Sequence, residues 1–358
     1  MASLTETAVV TRKAIKYGAI GFVVISLVWS IGVAAIEYYK RLNPPPPPPP
    51  TMDFGPLPAI KFPKETGRPK LTLELPTGQM PAFPDRMRVL AAPTKRSGFS
   101  DADKAIETAA ILGFIFKPNV VSEVKYVWTN QDKLSSRLEM DIISGHFKLT
   151  RNWQSNPAIL ASANFVSNQS VVAEVSNFLR KANLLPDDLL GEEKVTYLKA
   201  QGSELVPTVS LSEADFVQVD LFRKDLEEVN AKTKEVVASY SFYRPEPNKG
   251  LVRAIVSGSK DPGERIVYLD YQYTRVDYLR TGTYPIKTGD QAWKEFSEGG
   301  GFVADGLKRK GNLSVRRVML GYYDNSEGQK YSMPIYVFLG DQGFTGYVSA
   351  VADEQIAK

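Results

Sequence analysis

From Tyr17 to Ile36 the chain carries twenty residues without a charge, and no later stretch is both as long and as apolar. At about 1.5 Å per residue, a helix of that length is roughly 30 Å long, the thickness of a hydrocarbon core. Tyr17 at one end and Tyr38 and Tyr39 at the other suit the membrane–water interface. The pattern predicts a transmembrane anchor over residues 17–39, with the lipid bilayer as its first partner. The run exceeds the h-region of about 7–15 residues in a cleaved signal peptide, so an uncleaved signal anchor is the better reading. Arg12, Lys13 and Lys16 precede it, against Lys40 and Arg41 after it. The positive-inside rule then predicts a cytoplasmic tail over 1–16 and an extracytoplasmic remainder. Seven consecutive prolines, Pro44–Pro50, follow, and Pro56, Pro58, Pro63 and Pro69 extend the bias. Each proline fixes φ and removes a backbone donor, which predicts a polyproline II spacer and a Pro-rich stalk over 40–69.

Beyond the stalk, Lys70-Leu-Thr-Leu-Glu-Leu75 alternates apolar and polar positions, the period of a half-buried strand. Ala102, Ala105, Ile106, Ala109 and Ala110 then repeat at helical spacing after the cap candidate Ser100, with Gly113 as a stop. Strand-like runs follow at Glu123–Thr129, Ser136–Ile142 and His146–Arg151, the last two joined by the turn Ile143-Ser144-Gly145. Val171–Ala182 reads as a second amphipathic helix. Further strands are expected near Val195–Lys199, Phe216–Phe222, Val236–Tyr243, Leu251–Val256 and Ile266–Tyr278. Near the C-terminus the helix-then-strands order returns. Thr288-Gly-Asp-Gln291 is a capping box, Gly299–Gly301 end its helix, and Val315–Tyr323, Ser332–Leu339 and Phe344–Val351 are strand-like. The fold class expected is α+β, in tandem helix-plus-antiparallel-sheet units. We place a first α+β domain at 70–165 and a second at 166–358, with a C-terminal unit at 280–358.

Two stretches resemble the PepSY repeat. One is the helix and strands that close on Leu138-Glu-Met-Asp141-Ile-Ile-Ser144-Gly145-His-Phe147. The other carries Tyr284-Pro-Ile286, Gly321-Tyr322-Tyr323, Pro334-Ile-Tyr336 and Tyr347-Val-Ser-Ala350. In plan the chain is similar to proteins of the YycH/YycI type, with one N-terminal span and an extracytoplasmic PepSY-like region. The resemblance implies a non-enzymatic regulator or partner-binding module.

Charge and chemistry narrow the choice. The formal net charge is +4, of which residues 1–41 carry +3, leaving a large and nearly neutral remainder. That remainder lacks the basic footprint nucleic acid requires. Cysteine is absent, so disulfides, thiolate zinc sites and Fe–S clusters are excluded. His146 is the only histidine; it reads as a solvated strand residue, and no Gly-x-Ser-x-Gly elbow offers it a nucleophile. Asp324-Asn-Ser-Glu327-Gly328 misses the calcium-loop register and reads as a hairpin loop. Glu298-Gly299-Gly300-Gly301 reads as a helix C-cap rather than a phosphate nest, and Asp187 and Asp188 as turn residues after Pro186. Tyrosines crowd two regions: Tyr268, Tyr271, Tyr273 and Tyr278, then Tyr322, Tyr323, Tyr331, Tyr336 and Tyr347. Cross-strand pairing accounts for most of them, with a peptide or glycan-binding face as the alternative. No catalytic, cofactor or metal residue stands out, no ligand-binding residue can be singled out, and no cofactor is expected. Two functions follow: a membrane-tethered extracytoplasmic interaction or regulatory protein with a membrane or envelope partner, or a cell-surface structural or wall-binding protein. A hydrolase using carboxylates alone stays open, because two such residues can lie far apart in sequence.

Overall fold

The computed structural model describes residues 4–42, 49–65, 67–93, 97–131, 134–161, 165–230, 233–306, 311–324 and 329–357. The chain forms two compact units, Met1–Pro49 and Pro50–Lys358. The first contains α1 (Leu4–Leu42), in which Thr11–Lys40 is long and apolar enough to cross a membrane. Its described apolar side chains, among them Phe22 and Trp29, are exposed around the helix. The helix therefore begins within the segment expected as a tail. Pro44–Pro48 of the expected spacer lie outside the described residues.

The second unit is α+β. It opens with β1 (Lys70–Leu73), β2 (Arg86–Ala91) and α2 (Asp101–Ile111). Next come β3 (Asn119–Val120), β4 (Lys125–Asn130), β5 (Ser136–Asp141) and β6 (Phe147–Arg151). Helix α3 (Asn168–Lys181) precedes β7 (Glu193–Gln201), β8 (Glu204–Thr208), β9 (Phe216–Leu221), β10 (Leu226–Val229), β11 (Val236–Tyr240) and β12 (Phe242–Tyr243). Then follow β13 (Val252–Ser257), β14 (Ile266–Tyr271), β15 (Asp277–Pro285) and α4 (Gly289–Ser297). The last strands are β16 (Phe302–Asp305), β17 (Asn312–Tyr323), β18 (Tyr331–Gly340) and β19 (Thr345–Ser349).

Apart from the two-stranded β10–β11 pair, these strands build a nine-stranded sheet, in the order β3-β4-β5-β6-β14-β13-β9-β7-β8, and an eight-stranded one. In the latter, β17, β18, β19 and β16 are successive neighbours, β1 and β12 run parallel to β17, and β2 bridges β18 to β15. Each sheet draws strands from both sides of residue 165, so the boundary expected there separates neither. The run Ile266–Tyr278, expected as one strand, is two: β14 ends in the nine-stranded sheet, and β15 begins in the other. The chain passes between the sheets four times, at 92–118, 222–241, 244–251 and 272–276.

Helices α2 and α3 cover one face of the nine-stranded sheet through Ala105, Ala109, Val171, Val175 and Leu179. A Ser167–Ser170 box caps α3. In α4 the predicted Thr288–Gln291 box is formed, and Phe296 stacks on Phe338 at 4.7 Å. Gly346 makes that contact possible, because a Cβ there would meet the Phe296 ring at 2.1 Å. The Ser100 side chain makes no cap bond to α2; instead the Gly98 amide donates to Asp101 Oδ2 at 2.8 Å.

The segment expected as the distal stalk is part of the fold. Phe54, Leu57, Ile60 and Phe62 pack against the second face of the eight-stranded sheet, with Leu57 fully buried. The Leu57 amide donates to Gln355 O and its carbonyl accepts from the Ala357 amide, so this strap also holds the C-terminus. Arg68 donates to Phe296 O and Gly300 O, satisfying carbonyls at the negative end of α4. With α4 on one face and the strap on the other, β18 is buried from Ser332 to Phe338. A central strand covered on both sides reads as a continuous apolar run.

Candidate functional site

Arg223, just past β9, joins two of the four crossings, its own and the one at 272–276. Its side chain is fully buried, and all three guanidinium nitrogens are engaged. Nε donates to Asp324 Oδ2 at 2.7 Å, Nη2 to Thr274 O at 2.6 Å, and Nη1 to Asp188. The rings of Phe242 and Tyr273 flank it at 5.4 and 5.0 Å. Burial alone would lower its pKa, but Asp324, Tyr278 and Asp188 hold it well above the ordinary value. Tyr273 and Tyr278 donate to Asp188 at 2.8 and 2.9 Å. Burial and the Asp188 carboxylate push the Tyr273 hydroxyl up to about 12. Asp188 does lie in a single helical turn, Asp187–Leu189, but it is an acceptor for three side chains rather than an idle turn residue. Its partners lie 35 to 90 residues away in sequence, so no local pattern marks them. With its donors saturated, this junction holds crossings together and offers no free group for chemistry.

The other sequence candidates resolve similarly. His146 is part-buried rather than solvated: Nε2 lies 3.2 Å from Tyr273 O and 3.3 Å from Thr274 Oγ1. Burial lowers its pKa, against smaller opposing effects from the Tyr273 carbonyl and Asp141. Tyr271, Tyr322, Tyr323, Tyr336 and Tyr347 are buried in the cores, so they do not make an open binding face. Glu298 caps α4, and Gly299 and Gly301 have positive φ, as a C-terminal stop requires. Of the loop expected at 324–328, Asp324 binds Arg223, and residues 325–328 lie outside the described residues. Among the described residues no group of three or more His, Asp and Glu side chains could hold a metal ion.

The open site is a cavity of about 510 Å³ that sequence reasoning missed. Its walls come from distant elements. The end of α2 contributes Leu112 and Phe114, turned in by Gly113 at φ +98°, and the start of β5 contributes Leu134 and Ser136. Arg151, at the end of β6, is the cross-strand partner of Ser136. The turn before β14 supplies Asp261 and Glu264. Arg151 Nη1 donates to Ile266 O at 2.8 Å, and among the described residues it has no carboxylate partner. Burial holds its pKa below the ordinary arginine value. Glu264 is 8% exposed; its oxygens accept from Asn156 Nδ2 at 3.0 Å and Ser259 Oγ at 2.8 Å, both neutral. A second cavity, of about 490 Å³, lies beyond the same turn, but its Arg265 is taken up by Glu174 in a two-pronged pair.

No family model matches the chain, and neither does any curated protein. Among solved structures, an uncharacterized protein from Eubacterium rectale ATCC 33656 aligns over 74% of this chain and 82% of its own, at 10% identity and a TM-score of 0.31. A likeness at that level supports neither a fold nor a functional assignment.

Proposed function

We propose that the chain is a single-pass membrane protein whose folded unit stands outside the cytoplasm as a non-catalytic binding and regulatory module for a membrane or envelope partner. The observation that carries this reading is α1, in which Thr11–Lys40 is long and apolar enough to cross a membrane and the described apolar side chains are exposed. Side chains of this kind are stable in lipid and unstable in water. The greater basic charge before the uncharged run Tyr17–Ile36 than after it supports a cytoplasmic N-terminus. The element order supports the likeness to PepSY repeats: α2 precedes the antiparallel β4-β5-β6, and α4 precedes the antiparallel β17-β18-β19. The charged junction around Arg223 is spent on structure, which favours binding over catalysis. A second reading, a surface protein that binds wall peptide or glycan, is favoured by the cavity that Arg151 and Glu264 line.

Fractionation and protease protection test the proposal. The full chain should pellet with membranes, resist alkaline carbonate and be released by detergent. Protease added to spheroplasts should digest the folded unit and leave a short protected fragment. Recovery in the soluble fraction would remove the anchor, and protection of the folded unit until lysis would reverse the orientation. Cross-linking from solubilised membranes should then capture a defined membrane protein; co-sedimentation with wall polymer would favour the second reading.

A further inference from the structure

We propose that the cavity between the end of α2 and the turn before β14 binds a zwitterionic, peptide-like ligand, holding its carboxylate on Arg151 and its ammonium on Glu264. The inference deepens the reading of the folded unit as a binding module. It starts from an imbalance. Arg151 and Glu264 line the same space, yet among the described residues neither has an ion-pair partner, and they do not pair with each other. Arg151 is part-buried and Glu264 is 8% exposed, and proteins ordinarily give charged groups in such places a counter-charge. A molecule carrying both opposite charges would supply the two missing partners at once. An anion alone would meet Glu264 and Asp261, and a cation alone would meet Arg151.

The supporting structure holds these groups in place. Arg151 is fixed by the β5–β6 ladder and by its bond to Ile266 O. Glu264 is fixed by Asn156 and Ser259. Both carboxylate oxygens keep a second acceptor position, and the planar guanidinium keeps a fork suited to a carboxylate. Leu112, Phe114 and Leu134 give the wall an apolar part that accepts an aliphatic side chain. The volume falls in the range of about 300–1,000 Å³ common for small-molecule sites.

The test uses the purified full chain in detergent micelles, titrated calorimetrically with L-alanyl-L-leucine, its N-acetyl derivative and its C-terminal amide. The free dipeptide should bind saturably at one site, and blocking either end should weaken binding tenfold or more. Arg151→Gln should weaken the free dipeptide by a similar factor and leave the amide nearly unaffected. Absence of saturable binding at millimolar dipeptide would overturn the proposal, and so would blocked peptides that bind as well as the free one. If Arg151→Gln fails to fold, the free and blocked peptides on the unaltered chain still decide. Failure here would leave membrane attachment and partner capture untouched, and failure of those would leave dipeptide binding untouched.

Discussion

At the scale of single residues, Arg223 carries the largest expected effect. Its guanidinium faces Asp324, whose side chain is 5% exposed, and Asp188, which is 16% exposed. Arg223→Met would keep most of the volume but leave both carboxylates without their cation, and breaking a buried pair in this way costs about 3–5 kcal/mol. Urea unfolding should show a loss of that size; a loss below about 1 kcal/mol would mean that water already solvates the junction. His146 predicts a pH effect. Its folded pKa lies below the ordinary 6.5, chiefly through burial. The neutral ring therefore contributes stability above about pH 6.5, and that contribution is lost as pH falls through the folded value. The stability gap between the unaltered chain and His146→Asn should narrow from pH 7.5 to pH 5. A gap independent of pH would contradict the burial. Neither residue announces itself in sequence: the partners of His146 are 127 and 128 positions away, and a lone strand histidine looks the same whether wet or dry.

At the scale of elements, signals that act within one turn were legible. The Thr288–Gln291 box, the stop at Gly113 and the turn at Ser144-Gly145 all fall where the spacing puts them. The Ser167–Ser170 box was not read, because serine in its third helical position lacks the Glu or Gln that defines the usual signature. The strap was misread for a different reason. Proline and scattered apolar residues at 54, 57, 60 and 62 follow neither a helical nor a strand period, so composition suggested a stalk. What fixes the segment is pairing with Thr283, Tyr284 and Gln355. Removing one anchor point should show its weight. Leu57 is 0% exposed, and Leu57→Ala at such a site costs about 2–5 kcal/mol. A chain that begins at Pro50 should melt cooperatively by circular dichroism, and one that begins at Lys70 should lose cooperativity. Equal melting of the two would reduce the strap to surface decoration.

At the scale of the whole molecule, class was legible and topology was not. Alternation and caps identified helices followed by strands, which is enough for α+β. They carry no information about which strands pair, and the parallel contacts Lys70↔Asn312 and Phe242↔Tyr322 have no local trace. The cavity was hidden for the same reason: its walls belong to residues near 113, 134, 151 and 264, which only the pairing of β5, β6 and β14 brings together. A boundary at 165 follows naturally from a linear reading and fails in a chain that crosses between its sheets four times.

That connectivity constrains how the protein is made. Of the folded unit, the strap, β1 and β2 leave the ribosome first, yet their partners β15, β17, β18 and Gln355 leave among the last. At about 5–20 residues per second, the wait between residue 70 and the end of β19 is roughly 15–55 s. Throughout it, Leu57, Val89 and Leu90 have no core to enter. The eight-stranded sheet therefore closes only after β17, β18 and β19 have been made, and until then its early strands stay exposed to mispairing.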